Sequence, residues 1–191
     1  MIRTLESWDQ SLFKVLNGTH NEFLDFLMPW ISNKFVWIPL YALILYGLIK
    51  YSEYSFIQII IGIGILIFFS DYVASGIFKP YFERLRPCYE PELEGMVRLL
   101  KGCGSQYGFA SSHSSNSFAV AIFTWLLLKD KISSVIWLIP WAVIIAYSRI
   151  YLGVHYPGDV IVGAVIGCTA ALLSTSLLTI FIKQKRKRVN G

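Results

Sequence analysis

Two histidines, an aspartate and four cations gather in three short segments: KPYFERLRP at Lys79 to Pro87, ASSH at Ala110 to His113, and SRIYLGVHYPGD at Ser148 to Asp159. Lys79, Arg86 and Arg149 offer three positive side chains, two of them guanidinium forks that match phosphate oxygens. Without an anion among them, three clustered cations repel one another. Each Arg could instead snorkel separately to a lipid headgroup, which accounts for one of them more easily than for all three. Ser111, Ser112 and His113 stand just before an apolar run that begins near Ser114, where the free N–H groups of a helix start form an anion site. The serines also suit helix capping. His113 does not, and its imidazole can protonate a leaving alkoxide near neutral pH. His155 and Asp159 lie four apart across Pro157 and Gly158. In a turn or a first helical turn, that spacing lets the carboxylate hold one imidazole nitrogen while the other is free to attack. Metal ligation by His113, His155 and Asp159 is the competing reading. Hard cations want more carboxylates than one, and three cations make a poor setting for zinc, so no metal is expected.

The elements that position these residues are set by composition. The chain has 191 residues, 55% hydrophobic and only 15% charged, with 16% aromatics and a mean hydropathy of +0.55. Disorder is excluded, and the charge shortfall points to a chain solvated by lipid. Three Cys are too few for a disulfide scaffold, and 14 Gly show no collagen period. Uncharged windows at Phe35 to Ile49, Tyr54 to Ser70, Ser114 to Leu128, Ile132 to Ser148 and Val160 to Ile182 imply five membrane spans. Phe23 to Ser32, carrying Asp25 and Pro29, is either a sixth, tilted span or a helix lying in the interface. The expectation is an all-α polytopic bundle of about six transmembrane helices, a single domain over residues 1–191. The opening MIRTLESWDQ is polar and amphipathic, so no cleavable signal peptide is expected.

Orientation follows from Lys and Arg, which stay cytoplasmic near span ends. With the basic tail at residues 183–191 inside, alternation through six spans also places Arg3, Lys14, Lys50, Lys129 and Lys131 inside, ten of the 17 positive residues. Lys34, Lys79, Arg84, Arg86, Arg98, Lys101 and Arg149 remain outside, against the rule. All three segments abut span ends on that outward side, so they converge there across some 60 residues of intervening chain. The outward loop, residues 79–112, also holds Cys88 and Cys103, either free thiols or a disulfide worth roughly 3 kcal/mol for a loop of about 15 residues. Cys168, in an apolar window, reads as a packing residue.

The blocks K-x6-R-P, S-x-H and S-R-x5-H-x3-D, spanning residues 79–159, resemble the type 2 phosphatidic acid phosphatase (PAP2) family. The family's second block usually reads P-S-G-H, whereas here Ala110 replaces Pro and Ser112 replaces Gly. The resemblance implies a metal-independent lipid phosphatase without cofactor. In it His155 is the nucleophile forming a phosphohistidine, oriented by Asp159. His113 is the acid, and Lys79, Arg86, Arg149, Ser111 and Ser112 hold the phosphoryl oxygens. It implies substrates among undecaprenyl diphosphate, phosphatidylglycerophosphate with phosphatidic acid, and lipid A phosphates. The expected partners are that phospholipid or polyprenyl phosphate and the bilayer, with no nucleic acid. The expected location is a bacterial inner membrane with the site facing the periplasm or exterior. Residues 89–108 are expected to contribute to headgroup choice. A non-enzymatic protein that binds or moves anionic lipids is the alternative, for which the cations suffice and both histidines are incidental.

Overall fold

The computed structural model describes the backbone of residues 2–189 and the side chains of residues 4–181. The chain is helical, with no strand among the described residues: α1 (Ile2–Gly18), α2 (Glu22–Ile31), α3 (Ile38–Tyr51), α4 (Phe56–Asp71), α5 (Lys79–Phe82), α6 (Ser112–Leu128), α7 (Leu138–Tyr151) and α8 (Pro157–Val189). Four stretches are long and apolar enough to cross a membrane: Lys34–Tyr51, Phe56–Phe82, Ser133–Tyr151 and Pro157–Phe181. Three of the four begin where local chemistry favours a helix start. Asn33 accepts from the Phe35 N–H, Ser55 and Gln58 form a reciprocal capping box, and Pro39 and Pro157 occupy first-turn positions.

The fifth window, α6, is more polar because it is wrapped by protein: α3, α4, α7 and α8 all pack against it. It buries Ser114, Ser115, Ser117 and Thr124 along with Ala119, Ala121 and Phe123. In lipid, helices associate through close packing of small residues and inter-helix hydrogen bonds. Both devices are present. Ser114 Oγ donates to the Val160 carbonyl on α8 at 2.7 Å, and Ser115 Oγ to the Ser70 carbonyl on α4 at 2.8 Å. Gly167 of α8 lies so close to the Ser115 carbonyl that a Cβ there would overlap it.

The starts of α6 and α8 and the ends of α5 and α7 meet at one end of the bundle. Lys50, Lys129 and Lys131 lie at the other, and the tail that anchors the orientation, residues 183–191, falls outside the described side chains. The N-terminal segment does not supply a sixth span. The ten residues of α2 rise only about 15 Å, half the roughly 30 Å hydrocarbon core. α1 lies against the ends of α7 and α8: Asn17 Nδ2 donates to the Ile150 and Tyr151 carbonyls at 3.2 and 2.9 Å, and Asp9 accepts from the Gly158 N–H at 2.8 Å. Lys14 therefore shares the site's end of the bundle, not the end where six-span alternation places it. Arg3 falls outside the described side chains. Phe13 of α1 packs edge-on against Tyr156, 5.4 Å between centroids. Leu5, Trp8, Leu12 and Val15 form an exposed apolar stripe, the pattern of a helix lying in the membrane interface.

Candidate active site

The loop of residues 79–112 is shaped before it reaches the site. Cys88 and Cys103 are joined in a disulfide with Cα atoms 6.2 Å apart. Nearby, the chain pairs with itself through Arg86 N–H to Gln106 O and Gly108 N–H to Arg84 O, at 3.1 and 2.9 Å. This doubling-back fixes Arg86, whose Nε donates to the Ser105 carbonyl at 2.6 Å and whose Nη1 reaches the Val154 carbonyl at 3.1 Å.

Arg86 Nη1 also lies 3.1 Å from His155 Nε2, while His155 Nδ1 lies 3.3 Å from Asp159 Oδ2. One tautomer satisfies both contacts: Nδ1 carries the proton toward the carboxylate, and the Nε2 lone pair faces the guanidinium. His155 is 2% exposed and Asp159 fully buried. Burial, followed by the charges of Arg86, Arg149 and Lys79, holds the His155 pKa well below the ordinary imidazole value of 6.5, so the ring is neutral at pH 7.

Asp159 is held from three sides. Its Oδ2 accepts from the Tyr156 N–H at 3.0 Å, its Oδ1 accepts from Arg84 Nη1 at 2.9 Å, and its own backbone carbonyl accepts from the Ser111 N–H at 2.9 Å. The last bond ties the ASSH segment to the start of α8. Arg84 stacks over the Tyr156 ring at 4.1 Å and reaches Asp9 of α1 with Nη2 at 2.8 Å. Sequence reasoning assigned no role to Arg84 or Asp9. Arg84 was visible as one of the unexplained outward cations inside the first block, whereas Asp9 was one acid in an amphipathic segment.

The other cations close the site. Lys79 Nζ donates to Ser112 Oγ at 3.1 Å, so the serine found in place of the usual glycine supplies a hydroxyl partner. Arg149 is half-buried against α2, donating to Ser32, and its Nε has no protein partner. Among the described residues, Lys79, Arg86 and Arg149 have no carboxylate within 4.0 Å. Ser111 caps α6. His113, its second residue, lines a cleft of about 190 Å³ with Ser112, Ser32, Lys34, Asp71 and Asn116. Arg98 is occupied elsewhere, paired with Asp25 of α2. No group of three His, Cys, Asp or Glu that could hold a metal occurs among the described residues. The arrangement can therefore grip a tetrahedral anion with three unneutralised cations and present to it a neutral imidazole backed by a carboxylate, with a second histidine on the adjoining wall.

Fold and site together define a polytopic α-helical membrane protein with two histidines, a carboxylate and several cations gathered at one end of the bundle. The family model of the PAP2 superfamily matches residues 57–183, and the chain belongs to that superfamily. Among curated relatives, it is 37% identical to a lipid A 4'-phosphatase of Bacteroides thetaiotaomicron over 170 residues, 87% of this chain and 75% of that one. It is 32% identical to an undecaprenyl-diphosphatase of Sulfolobus acidocaldarius, covering 87% and 76%. The crystal structure of Aquifex aeolicus LpxE superposes with a TM-score of 0.69 at 26% identity, covering 87% of this chain and 94% of that one.

Proposed function

We propose that this enzyme removes a phosphate from a membrane lipid through a phosphohistidine on His155. The observation that carries the reading is the placement of His155, with Nδ1 against Asp159 and Nε2 directed at Arg86. In the first step His155 Nε2 attacks phosphorus, the bond to the lipid oxygen breaks, and His113, which takes up a proton once the bound phosphate offsets the cations around it, gives that proton to the leaving oxygen. Asp159 holds the Nδ1 proton and balances the positive charge that grows on the ring. Lys79, Arg86 and Arg149, with Ser111, Ser112 and the N–H groups opening α6, stabilise the equatorial oxygens, the task that Mg²⁺ performs in kinases. In the second step water attacks the phosphorus, His113 takes its proton, and inorganic phosphate leaves with His155 regenerated.

Of the three headgroup classes, a lipid A type phosphate has the best support, from the 37% identity to the Bacteroides thetaiotaomicron lipid A 4'-phosphatase and the 34% identity to that of Porphyromonas gingivalis. The proposed location is a bacterial inner membrane with the site outward. The Cys88–Cys103 disulfide lies at the site's end, which suits an oxidising compartment, and Lys50, Lys129 and Lys131 lie at the opposite end.

The test is phosphate release by detergent-purified protein in EDTA from hexa-acylated lipid A, undecaprenyl diphosphate, phosphatidylglycerophosphate and phosphatidic acid. Release that EDTA leaves intact and His155→Ala abolishes is expected. Equal release by wild type and His155→Ala would overturn the reading.

A further inference from the structure

A carboxylate stands beside the anion site. Asp71 ends α4 within the Phe56–Phe82 span and lines the same cleft as Ser112 and His113. Its Oδ1 accepts from Asn116 Nδ2 at 3.1 Å, and the Asn116 Oδ1 accepts the Ser70 hydroxyl at 2.6 Å, which turns the amide nitrogen toward Asp71. Among the described residues, no Lys, Arg or His lies within 4.0 Å of Asp71. A seven-residue π-helical stretch, Tyr72–Phe78, follows it, an irregularity that recurs at functional sites.

Such a carboxylate is unfavourable beside a bound phosphate, which it repels. Lys79 is near enough for the two charges to interact, yet its ammonium donates to Ser112. Asp71 thus keeps acceptor capacity directed at the cleft. Beyond it, through the shared residues Lys34, Tyr41 and Asn116, the cleft continues into a second cavity of about 310 Å³ walled by Ile44, Leu48, Ile63 and Phe123. Moving away from Lys79, Arg86 and Arg149, a ligand meets His113, then Asp71 and Asn116 in a wall that also holds Lys34, then apolar wall. Undecaprenyl diphosphate, whose leaving group is a polyprenyl phosphate, would set its second phosphate against the carboxylate, charge against like charge. Phosphatidic acid would set ester oxygens there, which cannot donate, and phosphatidylglycerophosphate one glycerol hydroxyl, against the several hydroxyl and amide donors of an acylated amino sugar.

We infer that Asp71, oriented by Asn116, receives hydroxyl or amide N–H donors of the leaving group immediately beyond the scissile phosphate, so that the preferred substrate class is a phosphorylated, acylated amino sugar. This rests on the phosphatase reading and on His113 marking the leaving-group side.

The experiment compares wild type, Asp71→Asn and Asp71→Ala, each purified as the full chain, on hexa-acylated lipid A, undecaprenyl diphosphate and dioleoyl phosphatidic acid. Loss of a hydrogen bond to a charged acceptor predicts that the ratio of kcat/KM for lipid A to that for undecaprenyl diphosphate falls about 10- to 100-fold in Asp71→Ala. Turnover of the comparison lipids reports that the variant is folded. Should Asp71→Ala be inactive on all three, the isosteric Asp71→Asn decides, and the ratio must fall at least about threefold there. A smaller change in ratio overturns the inference, including the case where all three lipids lose equally because Asp71 merely balances Lys79. A wild-type preference for undecaprenyl diphosphate overturns it as well. Absence of release from every lipid by wild type would instead overturn the phosphatase reading on which it stands.

Discussion

Arg84 binds Asp159 at 2.9 Å with one guanidinium nitrogen and Asp9 at 2.8 Å with another, so the interfacial helix α1 is joined directly to the buried carboxylate behind His155. Asp159 without Arg84 would be a buried charge left with its N–H donor and an imidazole. We expect Arg84→Ala to lower kcat about 10- to 100-fold, the scale of a misplaced catalytic group, with a smaller change in KM. Arg84→Lys should recover part of it, and Asp9→Asn should lose less than Arg84→Ala. Steady-state kinetics on the preferred lipid checks this. A pure KM effect would place Arg84 in substrate binding instead.

The join between α6 and α8 should be equally sensitive, although it lies away from the chemistry. Gly167 faces the Ser115 carbonyl with no room for a Cβ, and the same two helices carry His113 and Asp159. Gly167→Val is expected to destabilise the protein by about 1–3 kcal/mol, the usual cost of overpacking. Thermal unfolding in detergent measures it, and a melting temperature equal to wild type would contradict the packing described.

Much of this was legible in the sequence, and for physical reasons. Spans announce themselves because lipid-facing helices must be apolar throughout, as in the run Ile59 to Phe69. Lys79, Arg86, His113, Arg149, His155 and Asp159 stood out because charge at a span end needs a cause. The rest depended on pairing across distance. Asp9 and Arg84 are 75 residues apart, and neither alone reveals the other. The placement of α1 depended on whether α2 spans, which its ten residues settle only once the boundaries are known. Asp71 sits one residue past an uncharged window, where an acid reads as a span boundary.

The low pKa of His155 carries a stability consequence with a definite sign. The folded state disfavours the protonated ring, so His155 contributes stability that is present above about pH 6.5 and lost as pH falls from there toward its depressed folded value. His155→Gln removes that titration. Between pH 7 and pH 5 the wild-type melting temperature should therefore fall more than that of His155→Gln. Parallel falls would contradict the assignment.

The central claim is the phosphoimidazole on His155, and trapping it is the most direct measurement. Wild-type protein mixed with phosphate-labelled lipid and quenched in alkali should hold a label that is acid-labile and alkali-stable, located on His155 by peptide mass spectrometry and absent from His155→Ala. Label on another residue, or phosphate release at the wild-type rate by His155→Ala, would contradict the mechanism.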